Sequence, residues 1–566
     1  MTASLEIVIF WEGKGGHYIY YKTILLVVLV VRGEIMEPKE YGLPHVKWRP
    51  HQRKAAEWAT NMQGVAIVEA PTGSGKTALA AALGHSRPAI ALVRTKALQH
   101  ENYEVAYNFD ALYGRGNYTC SLTGAKPGTM ADNCAYAEEG MNKCPQYGEC
   151  AYVQARELAK QSNKAALNYP YWLHVYSKWA THHSMMVCDE AHQLPDIVLD
   201  WAGCTVTEYE RVRWNLPRFP ILKSRGGKSI ITKTESTTDQ TINWLITVRA
   251  ELLRLYLKFN QEGKTNQEAL KNARHIELLG KKVRATIDAM SSCPDDWYIQ
   301  SGPNVLTYKG KKTWGFIARP LTARHHFGRY FLSDKRSLLA MSATIGNPKT
   351  FASELGLTDY EFRRIESVWP VESRPIHALD IPRLGRKSGP TEWGRQADMI
   401  AEAINGLDPT WHGMIHVTSK VAATGLAERL AHRGLQDRVW VPPRVSTDEM
   451  MLKWHDQMDR KPGQIAVSWA MWEGYNGTRE KICIAAKTPY PYLGDPYEKA
   501  RQAYDGKFYL QRAAWQLEQG LGRTRRGREE DYDDGDSVAK YVAIADGGWK
   551  WLRNYMSESV LEAVIQ

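Results

Sequence analysis

VAIVEAPTGSGKTALAAAL, residues 65 to 83, is the stretch that decides the fold. Its first four residues are continuously apolar, as in a strand buried on both faces of a parallel sheet. Ala70-Pro-Thr-Gly-Ser-Gly75-Lys76-Thr77 follows, a P-loop pattern with alanine at the first glycine position, and then an alanine- and leucine-rich run that reads as a helix. Strand, glycine-bearing loop and helix, in that order, are what a phosphate cradle requires. Gly73, Ser74 and Gly75 supply backbone N–H groups that close around a phosphate, and the helix N-terminus adds partial positive charge. Lys76 is placed to reach the β- and γ-phosphates of ATP, and Thr77 to hold Mg²⁺.

A second apolar run, Met185 to Cys188 within SMMVCDEAHQLPD (184–196), ends on Asp189-Glu190. In open α/β sheets the carboxyl ends of the strands are where ligands bind. Adjacent carboxylates on a loop are usually only solvated charge. With a strand before them and a P-loop upstream, Asp189 is expected to bind Mg²⁺ and Glu190 to polarise the attacking water. MSATIGNP (341–348) and QGLGRTRRGR (519–528) come later. The four stretches together resemble the P-loop, the Asp-Glu-Ala-His box and motifs III and VI of superfamily 2 helicases. That resemblance implies ATP held between two RecA-like domains. Gln519, Arg523 and Arg526 match the family's Q-x-x-G-R-x-x-R, whose arginines stabilise charge on the transferring phosphoryl group.

Four of the eight cysteines fall between residues 120 and 150, as Cys120, Cys134, Cys144 and Cys150, with spacing C-x13-C-x9-C-x5-C. The others are dispersed, which suits a reducing cytosol better than a disulfide framework. Thiolates suit iron–sulfur clusters, zinc and Cu(I) alike, and a close C-x2-4-C pair typical of structural zinc is absent. GRGNYTC (114–120) resembles the segment that opens the iron–sulfur region of DinG-type helicases. AIALVRTKALQ (89–99), CAYVQAR (150–156), ALNYPYWL (166–173), MWEGYNG (471–477) and PYPYLGDP (489–496) extend the likeness, in family order, over about Trp48 to Asp546. The resemblance to the XPD/DinG group implies a [4Fe–4S] cluster on those four cysteines, with zinc as the alternative. Beside the first of them, Arg115 and Tyr118 are candidate DNA contacts.

The expected fold class is α/β, with two RecA-like parallel-sheet domains and two insertions in the first. The first domain is expected in three parts, 36–115, 153–200 and 297–348. The iron–sulfur insertion would occupy 116–152, a helical Arch-like insertion 201–296, and the second RecA-like domain 349–566. TINWLITVRAELLRLYLKF (241–259) and NQEALKNARHIELLGKKVRATIDAM (266–290) carry the helical periodicity of the Arch-like part. Gln52, in Arg49-Pro-His-Gln52 ahead of the P-loop, is a candidate adenine contact. Asn476 stands where the family's motif V usually has aspartate, and Arg525 takes a usually apolar place in motif VI.

The formal net charge is +11 at pH 7, which favours a polyanionic partner through counterion release. The apolar run ILLVVLVV (24–31) is far short of the roughly 20 residues a bilayer span needs. RGEIM ends at Met36, and its codons can read as a ribosome-binding sequence before a start. Residues 1–35 are therefore expected to be a non-native leader. The function these readings point to is an ATP-dependent DNA helicase, a monomer in the cytoplasm of a bacterial cell or phage-infected host. It would move 5′ to 3′ on single-stranded DNA, with forked or tailed duplexes as substrates. A translocase or remodeller that does not unwind, and an RNA helicase, stay open at this point.

Overall fold

The computed structural model describes residues 37–49, 51–71, 73–122, 129–134, 141–179, 182–220, 230–231, 235–262, 266–308, 311–333, 336–385, 387–472, 479–522 and 541–565. The expected leader, Asn476, Arg523, Arg525 and Arg526 lie outside the described residues.

Among the described residues, the chain up to Arg364 holds eleven strands: β1 Val65–Glu69, β2 Ala89–Val93, β3 Asp110–Leu112, β4 Lys164–Asn168, β5 Met185–Asp189, β6 Cys204–Thr207, β7 Ile230–Ile231, β8 Trp297–Tyr308, β9 Lys311–Pro320, β10 Ser337–Ser342 and β11 Glu361–Arg364. Seven of them form one sheet in the order β11-β1-β10-β5-β2-β4-β3. Every pairing in it is parallel. Its central strands are buried on both faces, which is why their sequences are continuously apolar. Alternate residues feed opposite cores. Ile67, Leu338 and Cys188 pack into one, and Val68, Leu339 and Val187 into the other. The register sets the carboxyl ends of β1, β10 and β5 side by side, since Glu69 pairs with Ser342, and Met341 with Asp189.

The second lobe repeats the architecture with β12 Ile376–Ala378, β13 His412–His416, β14 Val439–Trp440, β15 Ile465–Ser468, β16 Glu480–Ala485, β17 Tyr541–Ile544 and β18 Val564–Ile565. Their order is β14-β15-β13-β16-β17-β12-β18, again all parallel. Two parallel sheets covered by helices are the α/β, RecA-like arrangement the P-loop and the apolar runs imply.

Two expected boundaries move. The helices Glu235–Glu262 and Gln267–Ser292 do form a hairpin, but the insertion does not end at residue 296. β8 and β9 pair antiparallel with each other and with β6 and β7. Trp297, Ile299, Phe316 and Ala318 then share a core with Leu245, Val248, Val283 and Ile287 of the hairpin. Strands and hairpin each have one apolar face, and burying those faces together makes the insertion a mixed unit running to about residue 320. Likewise the first lobe does not stop at 348. β11 adds to the edge of its sheet beside β1, and the chain crosses to the second lobe only between Arg364 and Ile376. No helix among the described residues is long and apolar enough to cross a membrane.

Candidate functional site

β1 ends on Glu69, fully buried, whose carboxylate accepts hydrogen bonds from the Gly346 N–H (2.7 Å) and Arg364 Nε (2.9 Å). The chain then turns through the P-loop into the helix Lys76–Ser86. Gly73 and Gly75 sit at φ +88° and +83°, a region side chains other than glycine rarely enter. A Cβ on Gly75 would also stand 2.2 Å from Gln52 Nε2, so the loop closes onto that glutamine. Lys76 Nζ donates to the Ala70 carbonyl at 3.2 Å, which draws the ammonium across the mouth of the loop. Half-buried Thr77 follows in the first helical turn. Gln52 is 2% exposed, and its Oε1 accepts the Arg49 N–H at 3.0 Å. Its Nε2 and the Ser74 hydroxyl are buried with no hydrogen-bond partner in the described protein. Buried polar groups left this way at a phosphate loop are what a bound nucleotide would satisfy.

Asp189 closes β5, two strands from β1, and is buried. Tyr103 Oη donates to its Oδ2 at 2.8 Å and the Glu190 N–H to its Oδ1 at 2.9 Å. Burial, and then the neighbouring Glu190 carboxylate, push the Asp189 carboxyl up to about 6, while Lys76 pulls it down. A divalent cation between Asp189 and Thr77 would relieve both causes. Glu190 adopts a left-handed backbone (φ +51°), turning its side chain out of the strand direction. The site therefore has an ammonium, a hydroxyl and two carboxylates at the carboxyl ends of β1 and β5, the two strands that flank β10.

A polar chain leads from Glu190 across to the second lobe. His192 Nδ1 lies 3.4 Å from Glu190 Oε2 and 2.8 Å from Ser342 Oγ. Ser342 Oγ accepts the Thr344 N–H at 3.2 Å, and Thr344 Oγ1 accepts Gln519 Nε2 at 3.0 Å. Gln519 lies in the last turn of the helix Gly506–Leu521. Arg523 and Arg526 follow that helix directly in sequence, beyond the described residues.

A cavity of about 670 Å³ opens on the other side of this chain. The two lobes and the helical hairpin all line it, with Arg94 after β2, Trp201, Lys282 on the hairpin, and Tyr492 and Arg512 from the second lobe. His174 meets Trp201 edge-on at 4.7 Å. Burial, then Lys281 and Arg274, depress the imidazole to about 4, so it is neutral at physiological pH. Arg115 and Tyr118, expected on the sequence to touch DNA, have their polar groups engaged within the protein. Arg115 pairs with Glu277 of the hairpin at 3.5 Å, and Tyr118 Oη accepts the Tyr113 N–H at 3.0 Å while its ring packs on Tyr152. Arg94, Trp201 and Tyr492 are among the cavity-lining residues that sequence reading passed over. Arg94 and Tyr492 sat in stretches already singled out, and Trp201 carried no local signal.

Cys120, Cys134, Cys144 and Cys150 together line one small cavity of about 20 Å³, with Leu122, Tyr147 and Val153. None of the four is in a disulfide. Cys150 caps the helix Ala151–Gln161, and a bridge between Thr119 and Met130 closes the loop that begins at Cys120. Among the described residues no three His, Cys, Asp or Glu are gathered tightly enough to ligate one metal ion. Four thiols around a shared void are a soft donor set, of the kind that suits iron–sulfur clusters, zinc and Cu(I) alike.

No family model matches the chain. It is 23% identical over 570 residues to the ATP-dependent DNA helicase YoaA of Haemophilus influenzae, covering 81% of this chain and 85% of the relative. The Escherichia coli K12 ATP-dependent DNA helicase YoaA is 26% identical over 226 residues, 29% of this chain and 36% of that protein. A solved XPD helicase superposes with TM-score 0.55 and 14% identity, over 92% of this chain and 100% of that one.

Proposed function

We propose that this chain, whose fold and motif order are those of the XPD/DinG-type superfamily 2 helicases, is an ATP-dependent DNA helicase that translocates 5′ to 3′ on single-stranded DNA. One observation carries the reading. The P-loop, Asp189-Glu190 and Ser342 stand at neighbouring strand ends, and Gln519 of the second lobe is hydrogen-bonded into them through Thr344. A nucleotide site bridged this way reports its state to both lobes.

The roles follow from position. The N–H groups of Gly73, Ser74 and Gly75 and the Lys76 ammonium hold the phosphates, and Gln52 presents its unsatisfied amide beside them. Thr77 and Asp189 hold Mg²⁺, which neutralises phosphate charge when bound. Glu190 orients the attacking water, and Arg523 and Arg526 stabilise the γ-phosphoryl group when the lobes close. The chain from Glu190 through His192, Ser342 and Thr344 to Gln519 passes that closure to the groove behind it. Arg94 and Lys282 supply the positive charge to track phosphates there, and Trp201 and Tyr492 the rings on which bases stack. The net charge of +11 supports a polyanionic track, and the bacterial relatives support a cytoplasmic setting.

Cys120, Cys134, Cys144 and Cys150 hold a [4Fe–4S] cluster in this reading. Its contribution is mechanical: it fixes a polar insertion in one shape where the duplex separates, beside the hairpin that Arg115 joins through Glu277. Anaerobically purified protein is expected to be brown with about four irons per chain. Colourless, zinc-loaded protein overturns the cluster.

The helicase reading is tested with forked, 5′-tailed and 3′-tailed DNA duplexes. ATP-dependent strand release from the forked and 5′-tailed substrates is expected, and none from the 3′-tailed one. Hydrolysis stimulated by single-stranded DNA without strand release would make the protein a translocase, and stimulation by RNA alone an RNA helicase. Lys76→Ala is expected to abolish turnover and strand release together.

A further inference from the structure

We infer that the second lobe extends the nucleic-acid groove with a base-stacking platform built from Tyr492, Trp551 and Arg383, on which unpaired bases of single-stranded DNA stack after leaving the groove. This rests on the reading of the groove as a DNA track. The extended run Tyr490-Pro491-Tyr492 forms one wall of the cavity, which Pro491 and Tyr492 line. Tyr492 is 78% exposed, yet its ring is held in place: a Cβ on Gly494 would stand 2.1 Å from its Cζ, so one face of the ring lies on the bare glycine backbone. The rest of the ring is open to solvent, as an unpaired base requires.

Two residues back along the same run, Tyr490 turns away from the cavity. Its hydroxyl donates to the Gly548 carbonyl at 2.8 Å, and its ring stacks on Tyr509, which in turn donates to the Pro491 carbonyl at 3.1 Å. The Arg383 guanidinium carbon lies 5.3 Å from the Tyr490 ring centre and 4.4 Å from that of Trp551. Trp551 is 61% exposed. Tyr509, Tyr490, Arg383 and Trp551 thus form a ladder, joined to the groove wall at Tyr492 by the backbone of the same run. Exposed Lys550 and Arg553 flank Trp551 on the helix Gly547–Tyr555. Among the described residues none of Arg383, Lys550 and Arg553 is in an ion pair. Large exposed rings interleaved with cations that have no carboxylate partner among the described residues match the two faces of a single strand, its bases and its phosphates. A folded protein partner would call for a contiguous apolar patch instead, and here Trp551 is bordered by Arg383, Lys550 and Arg553.

The test uses the full chain and a duplex carrying a single-stranded oligothymidylate tail, whose junction fixes the register, the tail being intact or with a single abasic site placed at each position in turn. Wild-type protein is expected to lose about tenfold in affinity when the site falls on the platform, the worth of one stacked base. Trp551→Ala is expected to bind the intact strand about tenfold more weakly and to show no further loss at that position, while Trp551→Phe keeps most of the affinity. The platform is overturned if Trp551→Ala binds the intact strand as wild type does, or if every abasic penalty persists in it. Arg383→Ala interrogates the same ladder, with the same two outcomes, should Trp551→Ala melt early. Wild-type protein that binds no single strand removes the groove reading itself, and the platform with it.

Discussion

At the scale of single residues, the nucleotide site shows how burial decides chemistry. Glu190 is expected to act on water, so Glu190→Gln should keep nucleotide binding while steady-state hydrolysis falls by at least about a hundredfold. Fluorescent-nucleotide titration and phosphate release, measured side by side, check this. Gln52→Ala should raise the KM for ATP several-fold with a smaller effect on kcat, because its unsatisfied Nε2 sits where the nucleotide enters. Behind the P-loop, burial and then neighbouring Glu69 push the Glu518 carboxyl up to about 8 from the ordinary 4.5. Ser557 donates to both of its oxygens, from its N–H and from its hydroxyl at 2.8 Å. The folded protein therefore keeps a proton that the unfolded chain releases near pH 4.5. That contribution to stability is complete below this value and is lost as pH rises towards 8. Glu518→Gln, which mimics the protonated acid, should raise the melting temperature relative to wild type at pH 8.5 and change it little at pH 5. Melting curves across that range decide it; an equal shift at both ends would sink the assignment. The P-loop and the acidic pair were legible from the sequence because each is a short motif tied to a strand end. Trp201 was not, since its place in the groove depends on the helix Leu194–Ala202 meeting the hairpin.

Between elements, charge crosses the interfaces where apolar surface runs out. Arg501, on the helix Pro496–Tyr504, is 5% exposed and reaches Asp196 at 2.8 Å and buried Glu354 at 3.7 Å. It ties the helix after the Asp-Glu-Ala-His box to the second lobe. Arg501→Ala takes away the cation facing Asp196 and the buried Glu354 carboxyl, which burial already pushes up to about 7, so that acid takes up a proton and the tie between the elements is lost. The expected readout is a clear fall in the thermal midpoint, where a shift indistinguishable from wild type denies the latch. The helical hairpin was legible because its apolar spacing repeats every three to four residues. Its antiparallel sheet was not recognised as part of the same unit. β8 and β9 resemble any half-buried strands, and only pairing with β6 across roughly a hundred residues assigns them to the insertion. β11 escaped for the same reason: the exposed, charged strand EFRR owes its position to the free edge of β1.

Over the whole molecule, the two sheets are joined at their functional edges. Trp515 Nε1 donates to the Ile345 carbonyl at 2.9 Å, Gln511 Oε1 accepts the Asn347 N–H at 3.0 Å, and Gln519 meets Thr344. All three contacts run from one helix of the second lobe to the segment following β10. Thr344→Ala should therefore uncouple the lobes: ATP hydrolysis retained to within a few-fold, strand release per ATP markedly reduced. Measuring both rates on one tailed duplex tests this, and an equal loss in the two would argue against coupling through Thr344. The groove lies on the far side of those contacts, so relative motion of the lobes changes its width.

By itself the sequence determined the local chemistry. The P-loop, the acidic strand end, motif III and the buried parallel strands are each written within a dozen or so neighbouring residues, and the four clustered thiols within thirty-one, where backbone geometry leaves few alternatives. The tertiary structure alone decided which strands belong to which unit, how the second lobe docks, and which side chains converge on the groove. Those outcomes depend on pairing and packing between segments far apart in the chain, and a local pattern of apolar and polar residues is compatible with many such partners.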